Sequence, residues 1–109
     1  WQPPLARLGP PVVLAGDLNT TPDQASYRAL VNADGALGPV RLVDPLADRP
    51  LALSHPADRP TRRLDHVLVS PAIAARSVAG WARVARPLGA RSHALSDHLP
   101  VVVTLVAPR

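Results

Sequence analysis

The chain has 109 residues, enough for one small domain, and its 47% hydrophobic and 18% charged content is that of a globular chain. The net charge of +4 is carried by dispersed arginines, and only three side chains are aromatic, which argues against a protein that stacks single-stranded bases. Disulfides and cysteine-based zinc sites are excluded because there is no cysteine, and no apolar run approaches the ~20 residues of a transmembrane segment.

The first half of the chain predicts one strand followed by one helix. Residues 12–15 form a short apolar run with two β-branched side chains, which is typical of a buried strand. Residues 16–22 end that strand as a loop. Because Thr21 suits a helix N-cap and Pro22 suits the first helical position, we expect a helix over residues 22–32.

The second half predicts further strands separated by loops. A short strand is expected at residues 41–43, and residues 44–62, rich in Pro, Asp and Arg, predict a long loop. Strands are expected at residues 64–69 and within 78–86, and residues 101–106 favour a strand most strongly because five of the six are β-branched. This order of elements predicts an α/β or α+β layer with one sheet.

A polar cluster, Gly-Asp-Leu-Asn, follows the first predicted strand at residues 16–19. Asp17 and Asn19 are two residues apart, so in extended backbone they point to the same side. An acid and an amide placed in this way could align a water molecule and hold a phosphate oxygen. The alternative is an Asx turn in which Asn19 or Thr20 caps the helix.

A second polar residue, Asp65, lies in the next apolar strand, on the same face as Val67 and Val69. A carboxylate there is costly unless it has a partner. The functional partner would be a histidine, as in the carboxylate–imidazole pairs of hydrolases. The alternative is an ion pair with Arg62 or Arg63.

The third cluster, Ser-Asp-His-Leu-Pro at residues 96–100, directly precedes the last predicted strand. Neighbouring side chains diverge, so Asp97 could reach a metal while His98 meets a phosphate. Histidine is suited to proton transfer near neutral pH. The alternative is a polar turn in which Ser96 and Asp97 cap backbone groups.

The other three histidines give weaker signals. His55 and His93 are predicted to be loop residues without a chemical role. His66 alternates to the face opposite Asp65, which favours a packed or structurally paired side chain.

The three clusters, in this order, resemble the endonuclease/exonuclease/phosphatase superfamily. Its C-terminal half is marked by a Gly-Asp-x-Asn strand end, an Arg-x-Asp strand and a closing Ser-Asp-His, which stand here at residues 16–19, 63–65 and 96–98. The resemblance covers residues 11–106 and implies that residues 1–109 are the C-terminal part of one such domain. The implied fold is α/β: half of a DNase I-like two-sheet sandwich, with one mixed β-sheet and a flanking helix.

The resemblance also implies a reaction, the hydrolysis of a phosphate ester with Mg²⁺ or Mn²⁺. His98 would contact the scissile phosphate as general base or charge stabiliser, and Asp65 would orient His98. Asp17 would align or activate the attacking water, Asn19 would hold the phosphate, and Asp97 would help to bind the metal. The substrate would be nucleic acid, an inositol phosphate or a phospholipid head group.

One departure from the family pattern affects the metal site. The family's first half supplies the principal metal-binding Glu, whereas this chain has no Glu and opens at Trp1. We therefore expect the N-terminal half to be absent, the metal site to be incomplete and the chain alone to be essentially inactive.

A further expectation follows from a missing half. One apolar face of the sheet would be left uncovered, and this face would favour self-association.

Two other classes of function remain as alternatives to an enzyme. The first is a non-catalytic remnant that acts as a binding or interaction module, and a basic nucleic-acid binder is a weaker third possibility.

Overall fold

The computed structural model describes residues 9–35 and 41–106. Within them the chain forms short helices and strands in an α/β arrangement, which confirms the fold class expected from the sequence. In chain order these elements are β1 (Val13–Asp17), α1 (Ala25–Leu30), β2 (Asp65–Val69), α2 (Pro71–Ala74), β3 (Ala82–Val84), a 3₁₀ helix (Gly89–Ala94) and β4 (Val101–Val103).

The four strands form two antiparallel pairs. β1 pairs with β2, and Asp17 lies opposite Asp65 in their register. β3 pairs with β4, and Ala82 lies opposite Val103. The described strands therefore lie in two small sheets, instead of the one mixed sheet that we expected.

A backbone segment around Ser54 joins the two pairs. The amide of Ser54 donates to the carbonyl of Arg62, close to the start of β2, at 2.8 Å. The amide of Leu99, close to the start of β4, donates to the carbonyl of Ser54 at 2.7 Å. The residues that lead into β2 and β4 thus both bond to the backbone of Ser54. The two sheets are linked through this segment, without direct pairing of their strands.

β1 is a strand as predicted, but the prediction that it is buried was wrong. Val13 is 45% exposed and Val12 is 44% exposed, and only Leu14 within β1 is half-buried. Among the described residues, β1 pairs along one edge with β2 and no second layer covers it. The apolar side chains of Val12 and Val13 are therefore partly exposed in the described part of the chain.

The first helix is shorter than expected. α1 begins at Ala25 because residues 21–24 form a turn, in which the amide of Gln24 donates to the carbonyl of Thr21 at 2.9 Å. Gln24, and not Thr21, is the N-cap residue. The helix contributes Tyr27 to the core, with 6% exposure.

The later elements also differ in extent from their predictions. Residue 43 forms an isolated bridge to Val69 in place of a strand at 41–43. The last strand stops at Val103, because β3 offers only three residues to pair with. A 3₁₀ helix occupies part of the segment 87–98, which was expected to be loop.

A buried polar network packs beneath β2. Arg63, only 4% exposed, donates to Asp44 Oδ2 at 2.8 Å, and the hydroxyl of Tyr27 donates to the same carboxylate. Arg63 Nη1 also donates to His66 Nδ1 at 3.0 Å, and Nε2 of that ring donates to the carbonyl of Thr20 at 2.6 Å. The prediction that His66 is structurally paired is confirmed, and Arg63 pairs with Asp44 and not with Asp65.

The pKa values of Asp44 and Tyr27 in this network depend on both burial and hydrogen bonding. Burial on its own would raise the pKa of Asp44, but hydrogen bonds from Arg63, Tyr27 and the amide of Leu46 outweigh it and hold that pKa below its ordinary value. Burial and the bond to Asp44 raise the pKa of Tyr27 well above its ordinary value. The carboxylate of Asp44 therefore stays ionised within this network at neutral pH.

Across residues 9–35 and 41–106, no helix is both long and apolar enough to cross a membrane.

Candidate functional site

The site is built around a hydrogen bond between Asp65 and His98. Asp65 is the first residue of β2, and His98 lies shortly before β4. His98 Nδ1 lies 2.7 Å from Asp65 Oδ2. The histidine partner expected for Asp65 is therefore present, and the ring is oriented by a carboxylate at its δ nitrogen.

Ser54 supports this pair from below. Its side chain is completely buried, and Oγ donates to Asp65 Oδ2, the oxygen that also bonds His98, at 2.8 Å. The same Oγ accepts from the amide of Leu64 at 3.3 Å. Because the carbonyl of Ser54 also holds Leu99, one residue fixes both chain segments that carry the Asp65–His98 pair.

Asp17 approaches the opposite nitrogen of His98. Asp17 ends β1 directly across from Asp65, and its Oδ2 lies 3.8 Å from His98 Nε2. This separation is too long for a hydrogen bond. The imidazole thus lies between two carboxylates, bonded to one and facing the other across a gap.

The carboxylates change the acidity of the ring. The hydrogen bond to Asp65 raises the pKa of His98 above its ordinary value. Partial burial acts in the opposite direction, and the negative charges of Asp65, Asp17 and Asp97 add to the increase. His98 therefore holds a proton to higher pH than an isolated histidine.

Asn19 lies close to Asp17, but the backbone between them is not extended as the sequence predicted. β1 ends at Asp17, and Asn19 has a φ of 50°, in the left-handed region that asparagine tolerates. Asp17 Oδ1 accepts a hydrogen bond from the Asn19 amide at 3.0 Å. An Asx turn is formed, as the alternative interpretation held, although Asp17 makes it and α1 has no side-chain cap.

The carboxylate of Asp97 is directed toward His55. Its side chain is 80% exposed, and its Oδ2 lies 3.9 Å from His55 Nε2. The backbone of this turn is held by Ser96, whose Oγ accepts from the amide of His98 at 3.1 Å. The polar-turn alternative therefore describes Ser96, whereas the carboxylate of Asp97 points to another side chain.

Sequence reasoning missed His55 and Ser54. The ring of His55 packs against that of His98 with centroids 4.5 Å apart at 46°. A usable signal was the turn-forming stretch at residues 56–60, which contains two prolines and an aspartate. Such a turn predicts a hairpin that returns Ser54 and His55 to the start of β2.

Two overlapping groups of side chains in the described residues could hold a metal ion. One is Asp17, Asp65 and His98, and the other is His55, Asp97 and His98. In each group the ligand atoms lie within 4.8 Å of one another. The metal ligand expected from the sequence, Asp97, belongs to the second group and not to the first.

The surface next to His98 is concave. A cavity of about 350 Å³ is lined by Asp65, His98 and the segment 95–96, among others. Larger cavities of about 510 and 550 Å³ lie elsewhere, against Arg49. None of the predicted site residues lines these two larger cavities, so the chemistry of the site favours the smaller one.

Comparison with known proteins shows the family to which the chain belongs. The model of the Endonuclease/Exonuclease/phosphatase family matches residues 2–98, a span that contains all three motifs through His98. The chain therefore belongs to this family, a phosphoesterase-type superfamily of hydrolases. No curated protein and no solved structure gives a significant match.

Proposed function

We propose that this chain carries catalytic residues of a metal-dependent phosphoester hydrolase, a phosphodiesterase, nuclease or phosphatase. The observation that supports this proposal is the placement of His98 between two carboxylates, 2.7 Å from Asp65 and 3.8 Å from Asp17. Phosphoester hydrolysis needs a group that moves a proton or stabilises charge beside the phosphorus, and an oriented imidazole can do either.

Asp65 determines which nitrogen of His98 reacts. Its carboxylate accepts the hydrogen of Nδ1, so the lone pair of the neutral ring lies on Nε2. Nε2 faces the gap in front of Asp17. In the neutral form it can accept a proton from water, and in the protonated form it can stabilise a phosphoryl oxygen.

Asp17 and Asn19 complete the polar lining of this gap. We propose that Asp17 Oδ2, which faces His98, aligns or activates the attacking water. Asn19 follows on an exposed turn, and its side-chain amide would hold a phosphate oxygen. The turn from Asp17 to Asn19 is fixed by the hydrogen bond from the backbone amide of Asn19 to the carboxylate of Asp17.

The residues present fit a divalent metal ion as part of a ligand set. Asp97, with a carboxylate that is 80% exposed, would be a ligand, and oxygen ligands are those that Mg²⁺ and Mn²⁺ prefer. A bound ion would neutralise charge on the phosphoryl group. The set is small, because all eight acidic residues of the chain are aspartates and no Glu supplements them.

The substrate would be a phosphate ester, whether nucleic acid, an inositol phosphate or a phospholipid head group. The net charge of +4 suits an anionic ligand. We propose that loops 44–62 and 87–95 select among these substrates, since the first supplies His55 and the second lines the cavity beside His98.

Hydrolysis assays test the proposal. The protein, in the longest form that its gene encodes, is assayed on a nitrophenyl phosphate diester and monoester with Mg²⁺ or Mn²⁺. We expect metal-dependent turnover that falls by about 10²–10⁴-fold in His98→Ala, the range for loss of an acid–base group. Asp34→Asn, which removes an exposed ion pair with Arg28, is the control and should retain turnover.

Two results would count against the proposal. Turnover that survives His98→Ala would exclude the assigned mechanism. Absence of turnover on every class of phosphate ester, with either metal, would favour the alternative of a non-catalytic binding or interaction module.

A further inference from the structure

A second set of metal-ligating side chains includes His98. It consists of His55, Asp97 and His98, each of which offers one ligand atom within 4.8 Å of the others. Two imidazoles and one carboxylate differ chemically from the oxygen ligands that suit Mg²⁺. Nitrogen donors instead favour borderline ions such as Zn²⁺.

We propose that His55, Asp97 and His98 form a binding site for Zn²⁺ or a similar transition-metal ion. This inference concerns metal binding alone and holds whether or not the protein hydrolyses phosphate esters. Its consequence for catalysis does rest on the proposed function: the ion would occupy His98 Nε2 and Asp97, and so would inhibit a Mg²⁺-dependent hydrolase.

His98 is prepared for a role as ligand by its partners. Its Nδ1 is engaged by Asp65 at 2.7 Å, which leaves the lone pair on Nε2. Asp65 is held in turn by the buried Ser54 at 2.8 Å. A histidine whose second nitrogen bonds a fixed carboxylate is the usual arrangement at metal sites, because it sets both the tautomer and the direction of the ring.

The spacing of the donors is close to that of a real site. His55 Nε2 and Asp97 Oδ2 are 3.9 Å apart, whereas ligands about 2.1 Å from a tetrahedral ion lie roughly 3.4 Å from one another. The carboxylate of Asp97 is largely exposed, so it can move inward by the small amount needed. The packed rings of His55 and His98, with centroids 4.5 Å apart, already bring two nitrogen ligands together.

One contact of His55 would oppose binding of the ion. Arg62 Nη2 lies 3.5 Å from His55 Nδ1, and because a guanidinium only donates, this contact places the hydrogen of His55 on Nε2. Metal binding requires that hydrogen to move to Nδ1 and Arg62 to turn away. The contact is at the limit of hydrogen-bond length and Arg62 is exposed, so it weakens the site without closing it.

Titration of the 109-residue chain with Zn²⁺ by calorimetry, and with Co²⁺ by visible absorption, tests this site. We expect one ion per chain and a Co²⁺ spectrum of low coordination number. His55→Ala and Asp97→Asn should each weaken binding by at least about tenfold, since even loss of a ligand's hydrogen-bonding partner costs 10- to 100-fold. Arg62→Ala should strengthen binding.

Matched variants separate this site from others. His93→Ala should leave the Zn²⁺ affinity unchanged. Asp17→Asn should affect it less than His55→Ala, because Asp17 lies outside the group of His55, Asp97 and His98. Asp97→Asn changes an exposed side chain, so its effect stays interpretable if His55→Ala disturbs the fold.

Three results would overturn the assignment. These are the absence of Zn²⁺ binding, an affinity that Asp97→Asn and His55→Ala leave unchanged, or a loss of binding in Asp17→Asn that exceeds the loss in His55→Ala. None of these measurements uses turnover, so failure of the metal site and failure of the proposed hydrolysis are seen separately.

Discussion

Ser54 illustrates how a buried residue can fix the geometry of the candidate site. Its buried hydroxyl donates to the oxygen of Asp65 that bonds His98. We expect Ser54→Ala to lower kcat by about 10- to 100-fold, a loss typical of partners that orient a reactive histidine, with little change in KM. The measurement is steady-state hydrolysis by the longest form of the protein that the gene encodes.

A second readout distinguishes orientation from folding. The hydrogen on His98 Nδ1 should give a downfield NMR resonance that broadens or shifts in Ser54→Ala. Ser54→Thr retains the hydroxyl and should restore both the resonance and kcat. If Ser54→Thr were as impaired as Ser54→Ala, the role of Ser54 would be in packing and not in positioning Asp65.

The pKa of His98 is a second prediction for a single residue. The bond to Asp65 raises it, so Asp65→Asn should lower the pKa of His98, as measured from the pH dependence of its ring proton shifts by NMR. Asp34→Asn, which removes an exposed ion pair with Arg28, is the control and should leave the titration of His98 unchanged.

The raised pKa of His98 also makes the stability of the folded chain depend on pH. A pKa raised by folding means that the folded chain binds the proton more tightly, so the stabilisation is fully present below the unfolded-state pKa of the histidine. It is lost as the pH rises through the higher folded-state pKa. Wild-type protein should therefore lose some stability across that window, and a slope of the same size in Asp65→Asn would contradict the assigned cause.

Among the elements, the Asp44–Arg63 pair holds the long segment 44–62 against β2. Both side chains are buried. Asp44→Asn leaves the charge of Arg63 without its partner, so we expect the free energy of unfolding to fall by about 3–5 kcal/mol. Urea denaturation followed by circular dichroism measures it, and Tyr27→Phe is a milder variant with an expected loss of about 1 kcal/mol.

Acid unfolding gives the control for this prediction. Because the pKa of Asp44 is depressed in the folded chain, its contribution is present above the unfolded-state pKa and is lost as the pH falls through the folded-state value. Asp44→Asn should lack that part of the acid dependence. Asp48→Asn, an exposed neighbour, should keep it, and equal behaviour of the two variants would contradict the role assigned to Asp44.

The elements also show how far local sequence patterns reach. Asp65–Val69 became a strand as predicted, because its apolar and β-branched residues match a pleated, buried surface. The start of α1 was misplaced because Thr21 forms a turn with Gln24 instead of a cap. The segment 44–62, predicted as a long loop, contains a hairpin. Its pairing between His55 and Arg62 is short and polar, so it produces no periodic pattern in the sequence.

Across the whole molecule, the sequence predicted the identity of the central pair but not its surroundings. Asp65 and His98 are 33 residues apart and were linked through motif order and chemistry. The role of Ser54 and the packing of His55 depend on where a hairpin places them in space. The turn residues 56–60 indicate the hairpin, but no local pattern indicates the bond from the Leu99 amide to the Ser54 carbonyl.

Apolar residues at and just before the start of β1 are partly exposed in the described part of the chain. Val12 and Val13 are nearly half exposed, and among the described strands β1 is paired along one edge only. An open, apolar edge strand is a template for pairing with another chain. We expect the 109-residue chain to self-associate as its concentration rises, measured by sedimentation velocity.

A charge on that edge should oppose association. Val13→Lys should shift the sedimentation profile toward monomer, because burial of a lysine against a second strand is costly. Leu51→Lys is the matched control: Leu51 is 89% exposed but lies outside the sheets, so its replacement should leave association unchanged. If Leu51→Lys dispersed the chain as well as Val13→Lys, added charge in general would explain the effect, and the β1 edge would not be the contact surface.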